Sequence, residues 1–397
     1  MKAGWEVKPL GEVCEVQNGG TPKSNIAEYW GDEVPWLTPK DMGQQTTAYI
    51  GDTPRKISEL GLSKCSAKRV PVGSVIMSTR APIGHLSINT VPMAFNQGCR
   101  GITPPDYVEL KYLFYFLTAN IEALQELGTG ATFKELSAGA LKGFEIPIPP
   151  LEEQKQIVAV LDAAFEGLTR AKENAEANLQ NARELMEQRK RLSFSKPENG
   201  WTSKTLSEVC EKITDGTHQT PKYFNDGVIF LSSKNVTSGK VDWQNVKFID
   251  EKQHLEMHKR VAPRIGDILL AKNGTTGVAA MVDRDVVFDI YVSLAHLRSL
   301  GAVSPEYLLH FVNSPIAKEQ FNKRLKGTGV PNLHLKEIRD VTISFPTDVD
   351  GQETVVRELT ADLHKFETLE AEYQTKLTDI ADLRQSLLQK AFAGELT

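Results

Sequence analysis

The sequence predicts an α+β fold in which one domain and one long helix occur twice in tandem. Two observations support this prediction. Short segments recur in one order about 196 residues apart, and each copy is followed by a helical segment of about 40 residues with a coiled-coil pattern. We expect the two long helices to pair antiparallel about an internal pseudo-two-fold axis, because two copies of one unit can cover each other's apolar faces.

The composition is that of an ordinary globular protein. Of the 397 residues, 40% are hydrophobic and 24% are charged, which permits two or three domains with proper cores. The net charge is −5, and residues 347–397 alone hold eleven acidic against five basic side chains. No apolar run is long enough for a membrane span, and the four cysteines form neither a CxxC pair nor a disulfide framework. A cytoplasmic protein without membrane contact is therefore expected.

The repeat is visible in two pairs of segments. WEVKPLGEVCEVQNGGTPK (Trp5–Lys23) corresponds to WTSKTLSEVCEKITDGTHQTPK (Trp201–Lys222), and VGSVIMSTRAPIG (Val72–Gly84) corresponds to IGDILLAKNGTTG (Ile265–Gly277). Runs such as SVIMST and DILLAK are strand-like and bounded by Gly or Pro. We predict four parts: a first domain at 1–150, a central helix at 151–195, a second domain at 196–346 and a C-terminal helix at 347–397.

Both long helices carry an apolar stripe in which steps of four and three residues alternate, as in a coiled coil. Each stripe is interrupted by polar residues, among them Asn178 and Arg189 in the central helix and Glu370 in the C-terminal one. The residues predicted to pair are Leu161, Leu168, Ala175 and Leu185 in the central helix, and Leu359, Phe366, Tyr373, Leu377 and Ile380 in the C-terminal helix.

Antiparallel pairing places the C-terminal end of the second helix near the start of the first domain. A simpler alternative is that each helix packs only against its own domain. The occurrence of the same stripe in both copies favours pairing over this alternative.

No motif in the sequence predicts a catalyst. The GxxxxGK[ST] phosphate loop, the GxSxG nucleophile elbow and a Cys/His nucleophile signature are all absent. HLEMH (His254–His258) places two histidines one helical turn apart, but no third metal ligand is apparent from the sequence. We therefore expect neither a metal site nor a catalytic site in this chain.

The sequence resembles the specificity (S) subunits of type I restriction–modification enzymes over nearly its whole length. The resemblance lies in IPIPPLEEQKQIVAVLDA (Ile146–Ala163), LRQSLLQKAFAGEL (Leu383–Leu396) and the two-repeat layout. It implies a non-catalytic subunit with two target-recognition domains, each reading one half of a split DNA sequence. The paired helices would set the gap between the halves and dock methyltransferase subunits.

The resemblance also implies partners and cofactors. The partners would be double-stranded DNA, two methyltransferase (M) subunits and restriction/translocase (R) subunits. S-adenosylmethionine, ATP and Mg²⁺ would be bound by those subunits, which methylate adenine N6 and cleave DNA, and no cofactor by this chain.

Candidate DNA-binding residues are polar or basic side chains in loops that differ between the repeats, since contacts to bases and phosphates need such groups. In the first domain they are Lys23, Lys40, Arg80, Asn96, Gln97, Arg100, Thr129, Thr132 and Lys134. In the second they are His218, Gln219, Lys222, Lys234, Asn235, Lys272, Asn273, Lys326, Thr328, Asn332 and His334.

Two other functions fit parts of the sequence. One is a self-contained DNA methyltransferase or endonuclease, although the Asn/Asp-Pro-Pro-aromatic methylation motif is missing. The other is a scaffold that binds proteins, which the near-neutral charge of the domains permits.

Overall fold

The computed structural model describes residues 2, 4–130, 134–195, 200–324 and 332–396. The chain divides into two compact units, Met1–Ala175 with Thr375–Thr397, and Glu176–Gln374. Each unit holds one globular repeat and one half of each long helix, so the units cut across the four parts predicted from the sequence. In the described part of the chain, no helix is both long and apolar enough to cross a membrane.

The globular part of the first unit contains three sheets. They are a ribbon of order β1-β10, a five-stranded sheet of order β2-β9-β6-β7-β4 and a three-stranded sheet of order β5-β3-β8. The strands are β1 Glu6–Pro9, β2 Glu15–Asn18, β3 Trp30–Leu37, β4 Tyr49–Ile50, β5 Lys56–Ile57, β6 Val75–Thr79, β7 Ile83–Asn89, β8 Ala94–Phe95, β9 Cys99–Thr103 and β10 Glu145–Ile148. The helices are α1 Leu10–Val13, α2 Pro39–Met42, α3 Glu59–Ser63, α4 Leu110–Ala119, α5 Ile121–Glu126, α6 Ala138–Gly143 and the long α7 Leu151–Ser195, with a 3-10 turn at Ala27–Tyr29.

The second unit repeats this plan. Its sheets are a ribbon of order β11-β19, a four-stranded sheet of order β12-β18-β15-β16 and a three-stranded sheet of order β14-β13-β17. The strands are β11 Trp201–Thr205, β12 Cys210–Asp215, β13 Val228–Leu231, β14 Lys247–Ile249, β15 Ile268–Ala271, β16 Ala279–Met281, β17 Phe288–Ile290, β18 Leu294–Ser299 and β19 Thr342–Pro346. The helices are α8 Leu206–Val209, α9 Glu251–Met257, α10 Pro305–Val312, α11 Pro315–Arg324, α12 Leu335–Arg339 and the long α13 Val349–Ala393, with a 3-10 turn at Ser233–Asn235.

The strand orders of the two units match position by position. The order β2-β9-β6-β7 in the first corresponds to β12-β18-β15-β16 in the second, and β5-β3-β8 corresponds to β14-β13-β17. Among the described strands, β4 alone has no counterpart. The duplicated α+β domain predicted from the sequence is therefore confirmed.

A buried glutamine fixes the direction in which α7 leaves the first domain. The Gln154 side-chain amide donates to the carbonyl oxygens of Pro149 (2.8 Å) and Tyr107 (3.1 Å), and its oxygen accepts from the Glu109 amide (2.8 Å). Gln154 is fully buried. One side chain thus binds three backbone groups, two from the segment before α4 and one from the residues just before α7.

The same arrangement recurs at the start of α13. Gln352 donates to the carbonyl oxygens of Pro346 and Ala302, both at 3.0 Å, and accepts from the Ser304 amide at 2.8 Å. Gln352 is also buried. The two long helices therefore leave their domains through equivalent hydrogen bonds.

In the first unit, the end of α13 packs against the globular core. The Phe392 ring makes edge contacts with Tyr112 (5.1 Å between ring centroids) and Phe116 (5.4 Å), both on α4. Leu388 and Ala391 are buried in the same cluster. The first domain thus completes its core with residues from the last helix of the chain.

The last helix also reaches the beginning of the chain. Gly394 has φ +80°, and a Cβ placed on it would lie 2.5 Å from the Cβ of Lys2. Glycine ends α13 here because the left-handed conformation and the close approach both exclude a side chain. The expectation that the C-terminal end lies near the start of the first domain is confirmed.

In the second unit, the end of α7 occupies the equivalent position. The Phe194 ring makes edge contacts with Tyr307 (5.3 Å) and Phe311 (5.7 Å) of α10. Met186 is buried in the same cluster as Leu359 near the start of α13. In each unit the start of one long helix lies with the end of the other, so the helices are antiparallel. The alternative in which each helix packs only on its own domain is wrong.

Charged residues that interrupt the apolar stripes are paired between the helices. In the second unit, Arg189 Nε lies 2.8 Å from Asp362 and its Nη2 lies 3.0 Å from Glu358. Arg183 Nε lies 2.9 Å from Glu370. These pairs are partly exposed, so each contributes modestly to stability, but they favour one alignment of the two helices.

Three of the four residues predicted for the α7 seam are buried or partly buried, and the fourth is off by one residue. Leu161 and Ala175 are buried, and Leu168 is partly buried against the core. Leu185, which was predicted to pair, is 72% exposed. Its neighbour Met186 is buried instead. The buried residues Phe165 and Leu179 occupy the same heptad position as Met186, so this side of the seam is offset by one residue before and after Ala175 alike.

On α13 the predicted seam keeps its phase. Leu359 is buried, and Phe366 is partly buried against the cluster that contains Met186. Tyr373, Leu377 and Ile380 are half-buried. Their partners across the helix pair stay a prediction.

We predict that Leu161→Asp lowers the free energy of unfolding by about 3–5 kcal/mol, because it buries an unpaired charge. The matched control is Leu185→Asp on the same helix, which should change it by no more than about 0.5 kcal/mol at an exposed site. Urea denaturation of the full chain measures both. Equal effects would contradict the shifted seam.

Candidate nucleic-acid interface

In the first unit, several predicted residues lie where the parallel strands β3 and β8 end. Leu37 of β3 lies beside Phe95 of β8, and the Asn96 amide donates to the Leu37 carbonyl at 2.9 Å. Because the strands are parallel, the residues after both of them emerge at the same edge of the sheet. These are the turn that carries Lys40 and the turn that starts at Asn96.

The turn after β8 is held by its own polar side chains. The Asn96 side-chain oxygen accepts from the Gly98 amide at 2.9 Å. The exposed Gln97 side chain is hydrogen-bonded to the Thr21 hydroxyl, which comes from the loop after β2. Two loops distant in sequence thus join at this edge.

Two arginines lie around one carboxylate beside this turn. Arg80 Nη1 and Arg100 Nη2 each lie 3.9 Å from a Glu135 side-chain oxygen. Arg100 is buried and donates to the carbonyl oxygens of Gln97 and Cys99, both at 2.9 Å. Burial lowers the pKa of the Arg100 guanidinium from its usual value, and Glu135 partly opposes that change. Arg100 supports the turn, whereas Arg80 is more accessible.

The segment that contributes Glu135 also brings in Thr129, which pairs with Glu135 through two backbone hydrogen bonds of 3.0 and 2.8 Å. Lys134 is exposed next to them. The structure therefore gathers Arg80, Asn96, Gln97, Arg100 and Thr129 into one loop cluster, which we call the first edge cluster.

The remaining candidates of the first domain differ in their surroundings. Lys40 is exposed on α2, whose N-cap Thr38 forms a capping box with Asp41. Lys23 is exposed, and its carbonyl accepts from the Trp30 indole at 3.4 Å. Thr132 lies outside the described residues.

In the second unit, the parallel strands β13 and β17 form the corresponding edge, with Leu231 beside Ile290. Lys234 is exposed in the 3-10 turn that follows β13, at the position of Lys40 in the first repeat.

Asn235 was predicted to bind DNA, but its amide group is turned inward. Its oxygen accepts from the Ser232 amide at 2.9 Å, and its nitrogen donates to the carbonyl oxygen of Asn245 at 3.0 Å. Asn235 is buried. The side chain holds its loop together in the way that Asp41 caps α2 in the first repeat, and a contact between Asn235 and DNA stays a prediction.

At the end of β12, the second repeat has a cluster of charged side chains around the buried Asp215. Lys272 Nζ lies 2.9 Å from Asp215 Oδ2, and Arg260 donates to both the Asp215 carboxylate and its carbonyl. The His218 ring lies 3.3 Å from the same carboxylate. Lys272 and Asp215 are buried. Two cations face one anion, so this second edge cluster carries excess positive charge.

Burial alone would raise the pKa of the Asp215 carboxyl, but hydrogen bonds from Arg260 and Lys272 outweigh it and lower that pKa. The carboxylate is therefore charged over the whole neutral range. It holds Lys272, a predicted DNA contact, in one position before any ligand arrives.

Next to this cluster, Asn273 lies opposite Asn332 in an isolated β-bridge, as Arg80 lies opposite Glu135 in the first unit. The side-chain oxygens of both asparagines are buried without a hydrogen-bond partner among the described residues. Such groups are costly, which favours a polar ligand at this point. His334 is exposed two residues further on. Lys326 and Thr328 lie outside the described residues.

The other candidates of the second domain lie in the loop after β12. His218 and Gln219 are exposed beside the Asp215 cluster. Lys222 is exposed, and its backbone is held by the Gln253 side chain, which accepts from the Lys222 amide (2.8 Å) and donates to its carbonyl (3.1 Å).

A glycine allows the same close backbone approach in both clusters. A Cβ on Gly19 would lie 1.9 Å from the Asn96 carbonyl oxygen, and one on Gly216 would lie 1.9 Å from the Ile290 carbonyl oxygen. Neither position can hold another residue without moving the backbone. The framework of the two clusters is thus common to both repeats, while the polar side chains on it differ.

The sequence did not predict Thr21, Glu135, Asp215 or Arg260 as members of the clusters. At the 196-residue offset of the shared Glu-Val-Cys, Asp215 aligns with Gly19, so the repeat offered no signal for it. Arg260 has no sequence signal either, because only the fold brings it to β12.

Comparison with known proteins identifies the family. Residues 2–179 and 198–378 match the family model described as the type I restriction modification DNA specificity domain. The specificity subunit of the type I restriction enzyme MjaIX of Methanocaldococcus jannaschii is 30% identical over 417 aligned residues, which cover 99% of this chain and 93% of that one. The EcoKI specificity subunit of Escherichia coli K12 is 24% identical, and the alignment covers 100% of this chain and 90% of that one.

Solved structures share the fold over the whole chain. A chain from a type I restriction–modification system, studied for its complex assembly and conformational transition, superposes with a TM-score of 0.82 at 20% identity. The superposition covers 100% of this chain and 99% of that one. The HsdS subunit from Thermoanaerobacter tengcongensis gives a TM-score of 0.62 at 19% identity, with coverage of 100% of this chain and 98% of that one.

This chain therefore belongs to the type I restriction–modification specificity family, and it carries two copies of the family's domain. The resemblance seen in the sequence is confirmed. Because the relatives are specificity subunits, the prediction of a non-catalytic subunit is confirmed as well, and the self-contained enzyme and the protein scaffold are not favoured.

We predict that Asp215→Asn lowers the free energy of unfolding by about 3–5 kcal/mol at pH 7, because Lys272 is then buried without its anion. The Asp215 pKa is lowered in the folded chain, so its stabilisation is complete above the usual value of 3.8 and is lost as the pH falls through the folded value below that. The difference between wild type and variant should therefore shrink below about pH 4.

Urea denaturation at several pH values measures this difference. Asp226→Asn, at an exposed site in the same domain, is the control and should have little effect. A difference that stays constant down to low pH would contradict the proposed pairing.

Proposed function

We propose that this chain is the DNA-recognition subunit of a type I restriction–modification complex, in which each edge cluster reads one half of a split DNA target. The observation that carries the proposal is the presence of the same backbone framework in both repeats with different polar side chains on it. Arg80 in the first repeat corresponds to Asn273 in the second, and Thr79 corresponds to Lys272. Two such surfaces suit two different half-sites.

The chemistry of the clusters supports contact with bases and phosphates. Arginine forms paired hydrogen bonds with guanine, and asparagine does so with adenine, in the major groove. Lysine and the excess positive charge around Asp215 suit phosphate oxygens. The side-chain oxygens of Asn273 and Asn332, which have no partner in the part of the chain that the structure describes, would gain partners from a polar ligand.

The long helices are proposed to set the gap between the half-sites. Half-site spacing on B-DNA is a geometric quantity of about 10–10.5 base pairs per turn, so a stiff spacer can select it. The buried glutamines and the antiparallel packing within each unit support such a role, since they fix how each helix leaves its domain.

We also propose that the exposed faces of the helices dock methyltransferase subunits, and that restriction/translocase subunits join through them. The acidic C-terminal segment, with eleven acidic and five basic residues, is unsuited to phosphate and suits a protein partner. S-adenosylmethionine, ATP and Mg²⁺ would be bound by those partners, and adenine N6 would be the methylated atom.

Mapping modified bases in the native host, with and without this gene, tests the proposal. We expect N6-methyladenine to disappear from one split sequence motif when the gene is deleted, and to return when it is restored. The motif would give both half-sites and the gap. Methylation that is unchanged by deletion, in a strain where the partner subunits are expressed, would contradict the proposal.

We predict that Arg80→Ala changes recognition in one half of the motif and leaves the other half intact. If Arg80 contacts a guanine, discrimination at that position should fall by about 1–3 kcal/mol. If it contacts a phosphate, the magnitude of the slope of log binding constant against log salt concentration should decrease by about 1.

The measurement is binding of the complete methyltransferase complex to DNA variants in each half-site at several salt concentrations. Lys68→Ala removes one positive charge from an exposed site outside the first edge cluster and serves as the control. Equal behaviour of the two variants would exclude Arg80 from the interface.

A further inference from the structure

A group of three potential metal ligands lies in the second domain, away from the Asp215 cluster. It consists of His254 and His258, from α9 and its C-cap, and Asp289 from β17. One ligand atom from each residue lies within 4.8 Å of the others. The two histidines were visible in the sequence, but their third partner comes from a strand 31 residues beyond His258.

Both imidazoles point to the same carboxylate. His254 Nδ1 lies 2.7 Å from Asp289 Oδ2, and His258 Nδ1 lies 3.1 Å from Asp289 Oδ1. The two rings are 4.6 Å apart between centroids. The histidines are four positions apart along the helix, so they occupy one face and converge on one point.

Asp289 needs a compensating charge. Its side chain is only 1% exposed, and a buried carboxylate is costly without a cation or hydrogen-bond donors. Among the described residues, neither lysine nor arginine is paired with it. The two imidazoles are its side-chain partners, and they can either donate hydrogen bonds or share a metal ion with it.

We propose that His254, His258 and Asp289 bind one divalent transition-metal ion, with Zn²⁺ as the best fit. Two imidazole nitrogens and one carboxylate oxygen suit Zn²⁺ and related ions, whereas Mg²⁺ and Ca²⁺ prefer oxygen ligands alone. Zinc lies about 2.0–2.2 Å from such ligands. Atoms bound to one tetrahedral ion are then about 3.3 Å apart, so the present N···O distances need to open only slightly.

The ion would replace the hydrogen bonds without a change in covalent structure. Each imidazole would bind through Nδ1 and carry its proton on the other ring nitrogen, so no redox step is needed. The imidazoles are 15% and 31% exposed, which leaves a solvent side from which water can supply the fourth ligand. Three protein ligands and one water form a common zinc arrangement.

The site would anchor α9 to the sheet. Asp289 belongs to β17, whereas the Gln253 side chain of α9 holds the backbone of Lys222. A metal ion would therefore help to hold the loop that carries Lys222, because it would link α9, whose Gln253 binds that loop, to β17. Metal binding at this site would not depend on the proposed DNA recognition.

Calorimetric titration of the full chain with Zn²⁺, after treatment with a chelator and dialysis, tests the site. We expect one ion to bind per chain and to raise the melting temperature. His258→Gln should weaken binding by more than about 100-fold, since loss of a residue that merely orients a ligand already costs about 10–100-fold. His258 is partly exposed, so this variant should fold.

The matched control is His364→Gln, which removes an exposed histidine from α13 in the same unit and should bind Zn²⁺ like the wild type. Co²⁺ serves as a second probe, because its visible spectrum reports nitrogen and oxygen ligands and would reveal binding to cysteine instead. Absence of saturable binding by the wild type would overturn the proposal. Equal affinity of wild type and His258→Gln, or a cysteine-type Co²⁺ spectrum, would overturn it as well.

Discussion

The structure depends on one constraint: the apolar stripes of two helices must be covered, and each helix extends beyond its own domain. Each long helix carries an apolar stripe over 45 residues, and its own domain covers only the beginning. In each unit the end of the other long helix packs against the globular core, through Phe392 in one unit and Phe194 in the other. The buried glutamines set the starting direction of the helices, and the aromatic contacts secure their ends.

The sequence was sufficient for the repeat, the element types and the antiparallel pairing, because these follow from segments that recur in order. It was not sufficient for the phase of α7. Asn178 and Leu185 fit a regular alternation of four and three, but Leu179 and Met186, each one residue further on, are buried instead. The apolar Leu179 thus takes the place in the seam that the pattern gave to Asn178. Both Leu185 and Met186 are apolar, so local pattern alone could not choose between them.

The edge clusters were predictable only in outline. Differences between the repeats pointed to the loops that contain Arg80 and Asn273, and the fold brings those loops to one sheet edge in each unit. Whether a polar side chain faces outward depends on tertiary partners that the sequence does not reveal. Asn235 caps its own loop, and Lys272 is held by Asp215 from another strand. The carboxylate partner of the histidine pair was missed for the same reason, because Asp289 reaches α9 only through the sheet.

The exchange of aromatic residues between the repeats also bears on the origin of the chain. Phe194 follows the first domain in sequence but completes the core of the second unit, and Phe392 follows the second domain but completes the core of the first. Tyr112 and Phe116 receive one phenylalanine in the same way as Tyr307 and Phe311 receive the other. A single repeat would leave its docking site empty unless a second copy filled it. This reciprocity is the pattern that gene fusion of a symmetric homodimer would leave, with the two binding surfaces free to diverge afterwards.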